Sequence, residues 1–374
     1  MHYLKFTLLY LLALPQIIGV MLGGPWLTLG LASVLLTLVG GDAVLGDDTD
    51  TPDYPHSAWL DGMLYATVIP VALVVLVQIW SLSAGDPLGL GAAVQQGFGY
   101  DALAAREHNT PLQVLVSLIG CGLLVSALGT IVAHELVHRT WDPVALGIGR
   151  LLLAFSWDTA FAIEHVYGHH RHVATPQDPA SAPRGRSVYR HILHSSCFGT
   201  VSAWRIETQR LALQRQPLWS RHNRFLTGQL LSLALTLLAF WLGGVAGGIG
   251  FLTVAVIAKC FLEIVNYMEH YGLVRHPRTQ VKPRHSWNSN RRLSSWASFN
   301  LTRHSHHHAT AQKPFHQLAP MPEAPTMPAG YLSTILLTLI PPLWFRLMAP
   351  RLAHWDRHYA TEEERQMVAQ HTDS

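Results

Sequence analysis

Long apolar runs separated by polar, arginine-rich segments dominate this chain. Six runs approach or exceed the 18 residues typical of a membrane-spanning helix. They are Phe6–Gly23, Pro25–Gly40, Trp59–Leu82, Pro111–Ala133, Leu226–Leu242 and Gly247–Tyr267. A further stretch, Tyr331–Met348, is interrupted by Pro341 and Pro342, which favours an interfacial or buried position over a span. The pattern predicts an all-α integral membrane protein with about six transmembrane helices.

The charged residues predict how these helices are oriented. Only 13% of the 374 residues are charged, against about 25% in a soluble domain. Basic residues concentrate between the fourth and fifth runs and again after the sixth. Examples are Arg139, Arg171, Arg190, Arg205, Arg215 and Arg221 in the first region, and Arg275, Lys282, Arg291 and Lys313 in the second. Arg and Lys are retained on the cytoplasmic side. We therefore expect a multi-pass protein of the cell inner membrane with both regions in the cytoplasm.

Among the 23 histidines, four groups stand out near the ends of apolar segments. The first group, "HELVH" at His134–His138, follows the fourth run. The second, "EHVYGHH" at Glu164–His170, ends an apolar helix that we expect to begin near Val144. "NYMEHYG" ends the sixth run, and "RHSHHH" at Arg303–His308 lies beyond it. Imidazole is a good ligand for iron, zinc, copper and nickel, so the groups indicate a metal centre without naming the metal.

Helical geometry suggests more than one metal ion. At about 100° per residue, His134 and His138 share one helical face, and His165 and His169 repeat that spacing. His170 lies about 100° round the helix from His169, too far to bind the same ion comfortably. One ion cannot use all the candidates, which number nine. They are His134, His138, His165, His169, His170, His270, His304, His307 and His308. The histidine-rich cytoplasmic region is therefore expected to hold two ions.

Acidic residues beside these groups have a ready role. A metal-bound histidine usually donates its other N–H to a carboxylate or a carbonyl. Glu135, Glu164, Asp178 and Glu269 are placed by sequence to accept such bonds, although a salt bridge to a nearby arginine is an equally good interpretation of each. The H-E-x-x-H pattern also describes a zinc protease with Glu135 as its base. That alternative needs only one further ligand and leaves the other groups unexplained.

Cysteine and glycine patterns provide no internal electron carrier. The three cysteines, Cys121, Cys197 and Cys260, are scattered, so they do not form an iron–sulfur or four-thiolate site by themselves. The sequence also lacks a Gly-rich dinucleotide-binding fingerprint after a strand. A redox reaction at the histidine groups would therefore need a separate electron carrier. We expect membrane lipid around the protein and no nucleic-acid partner.

Four ordered blocks resemble the signature boxes of a known family. They are "HELVHR", "EHVYGHHRHVATPQDPASAPRG", "NYMEHYGLVR" and "LTRHSHHHAT", and they resemble those of the membrane alkane 1-monooxygenases, which belong with the fatty-acid desaturase-like di-iron enzymes. The similarity runs from about Trp59 to Asp356. The xylene monooxygenases share "HYGLVR" and "PPLWF". In this resemblance the nine histidines above are the iron ligands. His306 and His172 depart from the family pattern and leave two spare imidazoles beside the site.

The resemblance implies a single membrane-bound domain over 1–374. Its parts are the first four membrane helices (1–133), a cytoplasmic histidine region (134–225), the last two membrane helices (226–267) and a cytoplasmic C-terminal region (268–374). The implied reaction uses two iron ions to insert one atom of O₂ into a terminal C–H bond of an n-alkane, giving a primary alcohol. Electrons would come from rubredoxin, or a ferredoxin-type donor, and its NAD(P)H-dependent reductase. Hydroxylation of an alkyl-aromatic such as xylene and fatty-acyl desaturation are the alternatives.

Overall fold

The structure is a computed structural model that describes residues 2–372, and their regular secondary structure is helical. The α-helices are α1 Leu8–Leu22, α2 Leu29–Leu35, α3 Gly41–Leu45, α4 Ser57–Ala66, α5 Val68–Leu82, α6 Leu90–Phe98, α7 Ala102–Glu107, α8 Pro111–Leu124, α9 Val132–Val137, α10 Pro143–Ala154, α11 Phe161–Glu164, α12 His170–His172, α13 Val188–Leu213, α14 Arg224–His270, α15 Arg292–Ala297, α16 His304–Ala309, α17 Tyr331–Thr338, α18 Pro341–His358 and α19 Glu362–Thr372. Wider π-helical turns cover Leu36–Gly40, Val125–Ile131 and His165–His169, and 3₁₀ turns cover Leu4–Thr7, Gly24–Thr28, Pro87–Gly89, Pro283–His285 and Phe315–Gln317.

Five continuous helical stretches among the described residues are long and apolar enough to cross a membrane. They are Leu4–Leu22, Gly24–Leu45, Ser57–Leu82, Pro111–Val137 and Arg224–His270. The first four match the first four predicted runs. The last has 47 residues, so it would be about 70 Å long if straight, more than twice the ~30 Å hydrocarbon thickness. It contains both the fifth and the sixth predicted runs.

A sharp break divides this long helix into two arms. Gly244 has φ +63° and ψ −159°, a conformation that a residue with a side chain would adopt only under strain. A Cβ added at Gly248 would lie 2.4 Å from the ring of Phe240. In a straight helix these residues would be about 12 Å apart along the axis. The chain therefore doubles back at Gly244. The predicted all-α membrane fold is confirmed, with five to six long apolar helices where about six were expected.

Two other sequence expectations have different outcomes. The prolines at the start of α18 interrupt the last apolar stretch as predicted. The chain bends by 119° between α17 and α18. The expectation of one apolar helix from near Val144 to the second histidine group is wrong. That helix, α10, ends at Ala154, and Trp157 follows with φ +54°. A left-handed residue ends an α-helix, so the second histidine group begins on a separate helix, α11.

The chain divides into two compact units. The first comprises Met1–Thr37, Tyr54–Thr159 and Leu226–Phe261, and the second comprises Leu38–Asp53, Ala160–Phe225 and Leu262–Ser374. Polar contacts between helices stabilise the first unit. The Ser117 hydroxyl donates to the Gln78 side chain at 2.7 Å, and the Lys259 ammonium lies 2.8 Å from the Asp158 carboxylate. Polar side chains buried in membrane helices normally have such partners. Lys259, which interrupts the sixth predicted run and is partly exposed, therefore has its charge matched by Asp158.

A buried carboxylate of α13 pairs with two arginines of the second unit, one of them at the start of α14. Glu207 is fully buried and pairs with Arg210 at 2.7 Å and Arg224 at 2.8 Å. It also accepts the backbone N–H of Arg224 at 2.6 Å, which places a negative charge at the N-terminus of α14. Burial opposes ionisation, but the hydrogen bonds from both guanidinium groups lower the pKa of Glu207 to about 2.

We expect Glu207 to stabilise the second unit in a pH-dependent way. Because its pKa falls from 4.5 to about 2 on folding, its contribution is complete above pH 4.5 and declines as the pH falls towards 2. Glu207→Gln should lower the free energy of unfolding by about 2–3 kcal/mol at pH 7 and by less at pH 3. Thermal unfolding in detergent at both pH values measures this. Glu362→Gln is the control, since Glu362 is 71% exposed in its own pair with Arg365, and such pairs contribute about 0–1 kcal/mol. Equal effects of the two changes would contradict the expectation.

Candidate metal centre

The nine candidate histidines are distributed over both units. His134 and His138 lie in the first unit, at the C-terminal end of the fourth membrane stretch, with ring centroids 5.1 Å apart. Both are buried, as expected of two residues on one helical face. The other seven lie in the second unit and are His165, His169, His170, His270, His304, His307 and His308.

A π turn determines how the second histidine group is displayed. In the segment His165–His169 the N–H of His170 donates to the carbonyl of His165, five residues earlier. Residues five apart therefore share a face, instead of the residues four apart that share one in an α-helix. His165 and His170 consequently face each other, and their Nε2 atoms are 3.0 Å apart. The shared face expected for His165 and His169 assumed α-helical geometry, and the π turn replaces it with a face shared by His165 and His170.

Three imidazoles of the second unit form a first cluster. The Nε2 atom of His170 lies 3.0 Å from that of His165 and 3.1 Å from that of His307. The ring of Phe161 stacks on the His165 ring, with centroids 4.4 Å apart and an angle of 14°. Rotation of the His165 ring would break this stacking. The cluster is thus contributed by the π turn and by α16, and one of its rings is held in place by an apolar neighbour.

Four imidazoles form a second cluster. The Nε2 atoms of His304 and His308 are 2.9 Å apart, His270 Nε2 is 3.2 Å from His304 Nε2, and His169 Nε2 is 3.3 Å from His308 Nε2. All four side chains are buried. His169 and His170 therefore belong to different clusters, as their angular separation predicted. In α16, His304 and His308 contribute to the second cluster and His307 to the first.

The geometry of both clusters fits metal ions. A neutral imidazole carries one N–H, so ring nitrogens that face one another in threes and fours cannot all be hydrogen-bonded. Ligand nitrogens about 2.0–2.1 Å from a common ion would be separated by about 3 Å, as here. Burial, followed by the surrounding histidines, lowers the pKa of His308 well below its usual value, which keeps it in the neutral form that binds metals. The clusters can therefore hold metal.

Asp178 is placed to orient one ligand of the second cluster. Its Oδ2 atom lies 2.9 Å from Nδ1 of His169, the nitrogen that faces away from the cluster, and it also accepts the hydroxyl of Ser181 at 2.6 Å. Burial opposes the charged forms, but the contact raises the pKa of His169 and lowers that of Asp178. A carboxylate on the outer nitrogen fixes the ring and the tautomer of a metal ligand.

The other three acidic candidates have different surroundings. Glu135 lies 3.0 Å from Arg139, which also pairs with Asp61 at 2.7 Å, so Glu135 forms the salt bridge that was its alternative interpretation. Glu164 accepts the Ser202 hydroxyl at 3.4 Å, and burial raises its pKa to about 8. Glu269 behaves unlike both. Its Oε2 atom lies 3.1 Å from Nε2 of His304, the nitrogen that faces the second cluster, rather than from an outer Nδ1.

The sequence did not reveal two further contacts. His270 Nδ1 donates to the backbone carbonyl of His285 at 3.2 Å, which orients its ring as Asp178 orients that of His169. The Tyr331 hydroxyl donates to Oε1 of Glu269. A backbone acceptor leaves no signal in the residue types, and the sequence shows Tyr331 only as the first residue of an apolar stretch. The two contacts join residues that are 15 and 62 positions apart in the chain.

The two spare histidines lie outside both clusters. Nδ1 of His306 accepts the backbone N–H of Ala319 at 2.7 Å, so its ring is engaged by a loop. His172 is partly exposed at the end of α12. Among residues 2–372, neither belongs to a group of side chains whose ligand atoms converge. The two histidines that depart from the family pattern are thus not among the seven that form the clusters.

Comparison with known proteins identifies the class. The family model described as "Fatty acid desaturase" matches residues 109–338, which is more than half of the chain and contains all nine candidate histidines. The chain therefore belongs to the fatty acid desaturase family.

Individual relatives define the group within that family. "Alkane 1-monooxygenase 2" of Pseudomonas aeruginosa is 36% identical over 347 residues, covering 91% of this chain and 86% of the relative. "Alkane 1-monooxygenase 1" of the same species is 39% identical over 261 residues, covering 68% and 67%. The "Xylene/toluene monooxygenase hydroxylase component XylM" of Pseudomonas putida is 35% identical over 264 residues, covering 70% and 71%. The resemblance read from the sequence is confirmed, and the protein is an oxidoreductase of the monooxygenase class.

Proposed function

We propose that this protein is a non-haem di-iron monooxygenase that converts the terminal methyl group of an n-alkane into a primary alcohol. The observation that carries the proposal is the convergence of seven imidazoles into two clusters, with His169 and His170 on opposite sides of the division. We further propose that His134 and His138 provide the remaining ligands of the first ion. Four relatives named alkane 1-monooxygenase, which cover between 68% and 91% of the chain, support the substrate class.

The proposed reaction consumes O₂, two electrons and two protons, and it yields the alcohol and water. Bound iron would supply the reductive activation of O₂ that no side chain can provide. The chain's own residues do the rest. Neutral imidazoles hold the ions, Asp178 orients His169, and the apolar helices exclude water and admit a hydrocarbon from the bilayer. Such a substrate has no group for hydrogen bonding, so shape selects it.

The two electrons must come from another protein. We propose rubredoxin, or a ferredoxin-type carrier, reduced by an NAD(P)H-dependent reductase. Exposed arginines along and after α13 support an acidic carrier protein as the electron donor. They include Arg190, Arg205, Arg215 and Arg221. A positive surface attracts an acidic carrier and speeds its encounter. The same charges favour a cytoplasmic location for this face and a place in the cell inner membrane.

Isotope labelling tests the reaction. Membranes that contain the protein are supplied with rubredoxin, its reductase, NADH and ¹⁸O₂, and octane, hexadecane, p-xylene and a fatty acid are offered together. We expect a primary alkanol that carries one ¹⁸O atom. A labelled benzylic alcohol as the main product would move the substrate to the alkyl-aromatic class, which the similarity to XylM favours as the second candidate. An unlabelled alkene would mean desaturation and would contradict hydroxylation. Purified protein with zinc and no iron would contradict the di-iron centre.

A further inference from the structure

The carboxylate of Glu269 faces the interior of the second cluster. Its Oε2 atom lies 3.1 Å from His304 Nε2. The same nitrogen lies 2.9 Å from His308 Nε2 and 3.2 Å from His270 Nε2. One imidazole nitrogen carries at most one proton, so it can donate to only one of these three atoms. A cation between them would satisfy all of them at once.

The burial of the Glu269 carboxylate also favours a cation in the second cluster. Glu269 is 2% exposed. Among the described residues, its side-chain partners are the Tyr331 hydroxyl and the His304 ring, and neither is a lysine or an arginine. An ionised carboxylate in such a place is unfavourable unless a cation compensates it. Glu269 also lies one residue before the C-terminus of α14, where the helix dipole opposes a negative charge. A metal ion in the second cluster would supply the compensation.

Tyr331 fixes which carboxylate oxygen faces the cluster. Its hydroxyl donates to Oε1 of Glu269, so Oε2 remains directed towards His304. The backbone N–H of Tyr331 donates to the Ser294 hydroxyl at 3.0 Å, and Ser294 in turn donates to Asp42 at 2.5 Å. Tyr331 is itself 6% exposed. Tyr331 is therefore held at two points. Its backbone is bonded to Ser294 of α15, and its hydroxyl is bonded to Glu269.

We propose that Glu269 is an oxygen ligand of the ion in the second cluster, binding through Oε2, and that Tyr331 is the residue that positions it. The inference rests on the metal centre of the proposed function and extends it. It makes the two ions chemically unequal, because the second would be held by four imidazoles and one carboxylate of the second unit. The negative oxygen donor would compensate part of the charge of that ion, whereas the first ion would be held by neutral nitrogen alone.

Cobalt binding tests this without catalysis. The full-length protein in detergent is stripped with a chelator and titrated with Co²⁺ alone, and visible absorption and competition with the chelator report the ligand set and the affinity of each ion. We expect two bound ions in the wild type. Glu269→Gln should weaken the second ion by more than about 10-fold, and its absorption bands should shift. Tyr331→Phe should weaken it by about 10-fold, the lower end of the roughly 10–100-fold that loss of a residue orienting a ligand costs.

Matched variants make the outcome specific. Tyr189→Phe also removes one phenol, but the Tyr189 hydroxyl donates to the backbone of Leu339, so Co²⁺ binding should equal that of the wild type. If Glu269→Gln does not fold, Tyr331→Phe carries the test, because it leaves the carboxylate in place. Two ions with unchanged affinity and spectrum in both variants would overturn the role of Glu269 and leave the proposed function intact. A wild-type protein that binds no Co²⁺ would instead overturn the metal centre itself.

Discussion

Alanine at His169 is expected to remove one iron ion, and alanine at His170 the other, although the two residues are neighbours. His169 belongs to the cluster with His270, His304 and His308, whereas His170 belongs to the cluster with His165 and His307. Each change removes one nitrogen ligand from one cluster only. We expect each variant to retain about half of the wild-type iron. Alkane hydroxylation should fall by more than about 100-fold in both, because even the outer partner of a metal ligand is worth about 10–100-fold.

The iron content and the hydroxylation activity of each variant test this expectation. Iron per protein is determined by elemental analysis, and hydroxylation by the labelled-oxygen assay. The His169→Ala, His170→Ala double variant should contain almost no iron. His172→Ala is the control, since His172 lies outside both clusters, and it should keep both ions and most of the activity. Loss of all iron in each single variant would show that the two clusters do not bind independently, contrary to the expectation.

Removal of one residue from the π turn is expected to leave the first cluster intact. Deletion of Tyr167 would shorten the hydrogen-bonded loop of backbone between His165 and His170 from five residues to four, which is the spacing of an α-helix. Residues four apart share a face of an α-helix, so the two rings would still point the same way. Their Nε2 atoms, now 3.0 Å apart, could therefore still approach one ion. We expect the deletion variant to keep both ions and most of the hydroxylation activity.

A substitution at position 167 distinguishes the effect of losing one residue from the chain from the effect of losing the Tyr167 side chain. Tyr167 is 41% exposed, and its ring lies 5.2 Å from the Arg224 guanidinium. Tyr167→Ala therefore loses one exposed contact and keeps the π turn, so its iron content should equal that of the wild type. Circular dichroism shows whether the deletion variant retains its helices. A folded deletion variant that loses an iron ion would mean that an α-helical turn cannot replace the π turn, contrary to the expectation.

Residue types and spacing were enough to predict much of this protein. The apolar runs gave the membrane helices because burial in lipid requires about 20 apolar residues in succession. The four histidine groups and their order gave the family, since each group is short and local. The division of His169 and His170 followed from the angle between consecutive residues on a helix. Asp178 could be proposed as a partner because it lies nine residues from His169.

Other features depended on distant segments or on a departure from regular geometry. The sequence predicted the spans Leu226–Leu242 and Gly247–Tyr267, but a composition-based pattern does not show that Gly244 turns the chain back between them. The α-helical assumption paired His165 with His169, whereas the π turn pairs it with His170. A π turn depends on which carbonyl each N–H selects, and the surrounding packing determines that choice.

By itself, the sequence determined the class of protein, the membrane helices and the set of candidate ligands, because these depend on hydrophobicity and on local periodicity. The tertiary structure alone decided which other histidines of the second unit join His169 and His170 in their clusters and which groups orient them. His270 is oriented by the carbonyl of His285, and Glu269 is oriented by Tyr331, which lies 62 residues further along the chain. Such contacts join segments with no common pattern, so only the folded chain brings them together.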